Sequence, residues 1–182
     1  VIGARTNRHG GLDALSAALV GRVPLMGFLL DENRLGDIEV RVEFEPRSES
    51  DYAALGYYVG RRVETDEVPV YEGIQSIGLS QLKLMGAASA ASGSVALYHV
   101  LGVTPEARRW KDVYKDGKPS DTMEVEMGEI ESVYDELSSS GDVDLVAIGC
   151  PHCSLGEVGE VARLLRGRRV RRGVRFWIFT SP

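Results

Sequence analysis

The sequence predicts an α/β fold, with a mixed or parallel sheet and flanking helices, on three observations. Val143–Ile148 and Val174–Phe179 are apolar runs of strand length on either side of a helix-spaced set, Leu155, Val158, Val161, Ala162 and Leu165. Strand, helix, strand at this separation is a βαβ unit, which implies parallel strands. Ile38, Val40, Val42 and Phe44 alternate with charged residues, and a helical pattern through Tyr52, Leu55, Tyr58 and Val59 follows. The composition, 43% hydrophobic and 26% charged over 182 residues, suits one folded core or slightly more.

The elements follow in chain order. Gly3–Gly11 is a polar loop. Leu12, Leu15, Ala18 and Leu19 recur at helical spacing, with Gly21 as the stop. Val23–Leu30 is a mostly apolar run that predicts a buried strand, closed by the tetrad Asp31–Arg34. The alternating strand from Ile38 should have one wet face. Pro46 ends it, and Ser48 with Asp51 predicts a capping box for the next helix. A short strand is expected near Val68–Tyr71. Ser80 should cap a helix from Gln81 to about Ser92, whose small residues, Gly86 to Ala91, let another backbone approach. Val95–Val100 reads as a strand. Thr104-Pro105-Glu106 reads as a helical turn with Pro at its first position. Lys111–Thr122 reads as a flexible insertion, Ile130–Leu137 as a helix, and Ser154 with Glu157 as a second capping box. The organisation expected is an N-terminal α/β part (1–110), the insertion (111–122) and a βαβ part (123–182). The chain starts at Val1 directly before a polar loop and stops just after a strand, so an internal portion of a longer polypeptide is expected.

Charge and cysteine usage narrow the function. A net charge of −6 and a pI near 5.2 argue against nucleic acid as a partner. The basic run Arg166–Arg175 reads as a solvated loop. No stretch approaches the roughly 20 apolar residues that span a bilayer, so no membrane partner is expected. Two cysteines three residues apart are too sparse for a disulfide framework, which points to a reducing, cytoplasmic setting.

The segment Gly149-Cys150-Pro151-His152-Cys153-Ser154 carries the chemistry. It falls where a parallel strand ends and a helix begins, the position at which open α/β sheets bind ligands. Free N–H groups at a helix start favour a thiolate, the form that binds metal or attacks. Cys150-x-x-Cys153 is open to four readings: a thiol-redox motif, a zinc site, an iron–sulfur ligand with further cysteines elsewhere, or a structural cysteine in a turn. A second set is Arg5, Thr6, Asn7 and Arg8, where two guanidinium forks with neutral donors suit a carboxylate or phosphate. Asp31, Glu32 and Asn33 could serve as acid, base or orienting groups, and each could equally be a surface turn. His99 sits inside an apolar strand, as a core histidine or a site residue.

GARTNR at 3–8, LDENR at 30–34, LGYYVG at 55–60, ALYHV at 96–100 and GCPHCS at 149–154 occur in this order. Together they resemble the large, catalytic subunit of the aconitase X family over most of the chain. The resemblance implies an aconitase-like domain fragment of a hydro-lyase that dehydrates a hydroxy acid. The substrate implied is (R)-5-phosphomevalonate, giving trans-anhydromevalonate 5-phosphate in a mevalonate pathway, or else cis-3-hydroxy-L-proline. It implies an iron–sulfur cluster, of the [4Fe-4S] type, held by three cysteines, of which Cys150 is one and the others lie outside this chain. A small subunit or fused swivelling domain would supply a serine base. On this reading His152, Asp31 and Glu32 are the catalytic candidates, and Arg5, Thr6, Asn7, Arg8, Asn33, Ser154 and His99 contact substrate. Two positions depart from the family pattern. His9 follows GARTNR where Glu is common, and Cys153 stands where a small residue is common, so Cys153 is not expected to be an obligatory ligand.

Overall fold

A computed structural model describes residues 1–181. Its elements in order are α1 (Gly11–Val20), 3-10 turns at Gly27–Leu29 and Asp31–Arg34, β1 (Ile38–Val42), α2 (Glu49–Gly60), β2 (Pro69–Glu72), α3 (Leu79–Gly93), β3 (His99–Val100), α4 (Trp110–Val113), a 3-10 turn at Lys115–Gly117, β4 (Asp121–Val125), α5 (Met127–Leu137), β5 (Leu145–Cys153), α6 (Leu155–Leu165) and β6 (Arg175–Thr180). The chain divides into two units, Val1–Glu136 and Leu137–Pro182.

The first unit is built on a four-stranded sheet of order β3-β2-β1-β4, and every pairing in it is parallel. On one face, Val40 and Val42 of β1 pack with Leu55 and Val59 of α2, Met85 of α3 and Ile130 of α5. The other face carries a smaller cluster of Val70, Ala107, Val113 and Tyr114. This explains why β1 departs from the wet face its alternation predicts. A parallel strand in the middle of a sheet is covered on both sides. Glu39 accordingly lies 2% exposed. Its carboxylate accepts hydrogen bonds from the Thr122 hydroxyl at 2.9 Å and pairs with Arg41 at 2.9 Å. Burial alone would raise its pKa, but bonds to Arg41, Glu72 and Thr122 outweigh that and hold it below the usual carboxylate range.

Helices α2 and α3 meet backbone to backbone, as the small residues of α3 predict. A Cβ on Gly93 would stand 1.5 Å from the Gly60 carbonyl oxygen, and one on Gly56 would stand 2.2 Å from that of Met85. No residue larger than glycine fits either contact. The Asp51 carboxylate caps α2 by accepting the backbone N–H groups of Arg47 (2.7 Å) and Ser48 (3.2 Å), and the Tyr134 hydroxyl at 2.8 Å. The cap of α3 is Gly78, whose N–H donates to the Gln81 side chain at 3.1 Å, so Ser80 lies inside the first turn.

Further expectations fail in this unit. Val23–Leu30 forms no strand: Val23, Leu25 and Met26 are exposed, Pro24 lacks a donor, and Gly27 has φ +57, a left-handed turn rather than an extended residue. Lys111–Thr122 is built into the fold, since Val113 and Tyr114 are buried and Asp121 opens β4. By contrast, Thr104–Glu106 forms a single turn as expected, with the Ala107 N–H donating to the Thr104 carbonyl at 3.0 Å and the Thr104 hydroxyl bonded back to Val100.

In the second unit, β5 and β6 pair in parallel around α6, in agreement with the predicted βαβ pattern. Ser154 and Glu157 form the expected capping box: the Ser154 N–H donates to the Glu157 carboxylate at 2.6 Å, and the Glu157 N–H donates to the Ser154 hydroxyl at 3.3 Å. The segment 149–153, expected as a loop, instead continues β5. Its register is irregular between Ile148 and Cys153, where the ladder resumes with Cys153 opposite Thr180.

Candidate functional site

Most of the predicted residues of the first unit gather at the amino ends of its strands. The polar loop before α1 is tied to the turns that precede β1. The Asn7 amide oxygen accepts the Phe28 N–H at 2.7 Å, and its amide nitrogen donates to the Met26 carbonyl at 2.9 Å. Arg5 pairs with Asp31 and donates to the Leu29 carbonyl at 3.3 Å. Arg8 donates to the Ser94 carbonyl. The Thr6 hydroxyl turns back on the Asn7 carbonyl at 3.0 Å. Asn33 donates to the Gly27 carbonyl at 2.9 Å. Both arginines sit on the exposed surface, and the contacts described use only one guanidinium nitrogen of each, which leaves donors for a ligand.

Two cavities adjoin this cluster. One, of about 760 Å³, lies beside α1 and is lined by Asn7, Arg8, His9, Arg22, Met26 and Phe28, among others. A smaller one of about 400 Å³ is lined by Glu32, Asn33, Asp37, Asp66 and Lys115. Both share Gly27, Phe28 and Asp66, so the two cavities flank one turn. The carboxyl ends of β1 and β2 carry a different cavity, of about 670 Å³, lined by Glu43, Glu45, Tyr52, Gln75 and Gln81. None of the predicted residues lines it.

His99 is buried. Its Nε2 lies 2.7 Å from the Arg34 carbonyl oxygen. A carbonyl only accepts, so Nε2 carries the proton and donates. Burial depresses the pKa of His99 and favours this neutral form, partly offset by the bond to Arg34. Sequence reasoning missed the partner that matters here, Arg34. Its Nε donates to Glu106 at 2.6 Å, a second nitrogen donates to the other Glu106 oxygen, and the third donates to the Phe28 carbonyl at 2.8 Å. The Arg34 guanidinium, ahead of the partial burial that opposes it, holds the Glu106 carboxyl below its usual range. The two residues are 72 positions apart, and no local pattern links them.

In the second unit, Cys150 is exposed and Cys153 is buried, and neither is in a disulfide. The peptide between Cys150 and Pro151 is cis. His152 is exposed, and Ser154 is the α6 N-cap. The Thr180 hydroxyl donates to the Cys153 carbonyl at 2.9 Å. Both cysteines therefore precede the N-cap and belong to the strand, whereas a dithiol redox motif opens its helix. Among the described residues, no three His, Cys, Asp or Glu side chains converge to hold a metal. Cys150 alone fits a thiolate-bound group, as one accessible ligand; a cluster needs several such thiolates.

Comparison with known proteins places these features in a family. A family model described as "Aconitase X second domain" matches residues 36–135, and one described as "Aconitase X third domain" matches residues 143–182. The phosphomevalonate dehydratase large subunit of Methanosarcina mazei is 46% identical over the whole chain, which covers 43% of that protein. The cis-3-hydroxy-L-proline dehydratase of Pseudomonas aeruginosa is 36% identical over 93% of the chain, covering 30% of that protein. A crystal structure of Thermococcus kodakaraensis aconitase X in its holo form superposes with a TM-score of 0.87 at 40% identity, covering 98% of this chain and 45% of that one. The chain thus spans less than half the length of the relatives it matches.

Proposed function

The chain belongs to the aconitase X family, and from that premise we propose that it forms part of the large subunit of a hydro-lyase that dehydrates (R)-5-phosphomevalonate to trans-anhydromevalonate 5-phosphate. The observation that carries this reading is the ordering of its relatives. Four phosphomevalonate dehydratase large subunits are 39–46% identical to it, against 33–36% for two cis-3-hydroxy-L-proline dehydratases, and a fifth such large subunit, from Aeropyrum pernix, falls below both groups at 29%. Two arginines in the polar loop also suit a substrate with two anionic ends better than a zwitterion.

The reaction removes a proton from the carbon beside a carboxylate and a hydroxyl from its neighbour. An iron–sulfur cluster, when bound, would supply a Lewis-acidic iron for the departing hydroxyl. Cys150 would hold it with one thiolate, and cysteines outside this chain would complete the set. The remaining work falls to groups that bind and orient. Arg5 and Arg8 clamp the anionic ends of the substrate. Asn7, with its oxygen committed to Phe28, acts as a brace for that loop, and the Thr6 hydroxyl is a further donor. Glu32 and Asn33 reach the smaller cavity, where Glu32 can hold or receive a proton and Asn33 can orient. Asp31 is held in the Arg5 pair, so its part is to aim Arg5. His152 stands beside the Cys150 ligand, and Ser154 offers a hydroxyl at the helix start. His99 acts through Arg34 rather than on substrate. A small subunit or fused domain supplies a serine base, and the protein works in the cytoplasm. Among the described residues, no helix is long and apolar enough to cross a membrane.

The test is turnover by the full-length subunit with its small subunit, purified without oxygen. Phosphomevalonate should be dehydrated at least tenfold more efficiently than cis-3-hydroxy-L-proline, and Arg8→Ala should lower kcat/KM by about 10²-fold, the loss of one charge-assisted contact. Preference for hydroxyproline would overturn the substrate assignment. Unchanged efficiency in Arg5→Ala and Arg8→Ala would remove the anion clamp.

A further inference from the structure

We infer that Arg34, fixed by Glu106 and His99, is a positioning residue that sets the place of the two turns carrying Asp31, Glu32 and Asn33; its effect on substrate rests on the dehydratase reading above. Arg34 is 5% exposed, and its fork reaches two separate places. Two nitrogens grip the two oxygens of Glu106, in the turn after β3, and the third holds the Phe28 carbonyl in the first 3-10 turn. Its own backbone carbonyl, at the end of the second turn, takes the Nε2–H of His99 in β3. The segment between Phe28 and Arg34 is therefore anchored at both ends to β3 and the turn that follows it. The same segment is tied outward, through Asn7 to Phe28 and Met26 and through Arg5 to Asp31. A continuous set of bonds thus runs from the buried sheet to the exposed polar loop, and both cavities border it.

Stability alone is a poor explanation for this arrangement. An ion pair between a buried guanidinium and a half-buried carboxylate gains little beyond what desolvating the guanidinium costs. The guanidinium contributes geometry instead: its planar fork fixes direction at three acceptors at once. A neutral His99 completes the anchor without adding a second buried cation beside Arg34.

The experiment uses the full-length large subunit with its small subunit, as Glu106→Gln and Arg34→Lys. Hydrogen exchange of the 27–34 amides should quicken at least tenfold in both variants, with β1 and α2 amides unchanged. The KM for phosphomevalonate should rise five- to twentyfold while kcat moves less than threefold. Adding Asn33→Ala to Glu106→Gln should cost no more than the worse single change, because both act through one segment. Unchanged exchange at 27–34, or equal quickening of the whole unit, would overturn the inference as a local device. Quickened exchange with KM unchanged would overturn its link to substrate. If the wild-type complex turns over neither phosphomevalonate nor cis-3-hydroxy-L-proline, the functional reading fails, and exchange still decides the anchor.

Discussion

The two units of the chain solve the same α/β problem to different degrees. The first covers both faces of a four-stranded sheet and buries Val40, Leu55, Val59, Val100 and Ile130 completely. In the second, among the described residues, Cys153 alone is buried, and Trp177 and Phe179 of β6 stand 46% and 45% exposed. A two-stranded sheet by itself is marginal in water and depends on what packs against it. The contrast lies in how much of each core falls within this chain, which spans less than half the length of its relatives: the first unit carries its own core and anchors its polar loop to it, and the second holds the Cys150 strand with most of its apolar side chains uncovered.

The sharpest way to break that contrast is Gly93→Ala. The new methyl has no space beside the Gly60 carbonyl, so α3 must separate from α2, at a cost of about 4 kcal/mol or more. Thermal unfolding of the first unit should show it. Next, Leu55→Ala, at a fully buried position, should cost about 3 kcal/mol, whereas Ile178→Ala in the second unit, only half-buried, should cost under about 1 kcal/mol. Trp110 and Trp177, the two tryptophans of the chain, report the units separately by fluorescence; equal losses would erase the distinction.

Asp51→Asn gives a smaller effect with a pH signature. Burial would raise the Asp51 pKa, but the Tyr134 hydroxyl, the Arg47 and Ser48 N–H groups and the Arg47 charge outweigh it and leave the pKa lowered. A carboxyl lowered on folding contributes stability above its unfolded pKa, and that contribution fades as pH falls through the folded value. Wild type should therefore lose stability below about pH 4. Asp51→Asn should lose about 1 kcal/mol at pH 7 and show a flatter acid limb in denaturant titrations. Smallest is Ser154→Ala, which removes the α6 cap for about 0.5–1 kcal/mol and leaves the first unit unchanged by region-resolved hydrogen exchange.

The sequence showed what is local. Both capping boxes, the helices they open and the small-residue contact of α3 follow from neighbours within a few positions. Errors arose where packing decides. Val23–Leu30 has the apolar content of a strand, yet Pro24 and the left-handed Gly27 bend it into turns. Glu39 alternates like a solvent-facing residue, and only the second layer over the sheet makes it buried. The polar loop and the 31–33 turn were visible as separate candidates, and Arg5–Asp31 and Asn7–Phe28 join them. What organises them, Arg34 with Glu106, depends on a bond across 72 residues and was unreadable. Cys150 stood out by motif, but its exposure and the burial of Cys153 come from the register of β5 on β6.

The central claim is that Cys150, and not the Cys150/Cys153 pair, serves the chemistry. Its most direct test is the visible absorption of the full-length complex purified without oxygen, in Cys150→Ser and Cys153→Ser forms. The account predicts that Cys150→Ser loses the cluster absorption while Cys153→Ser keeps it. A Cys150→Ser protein that retains the native spectrum would contradict it.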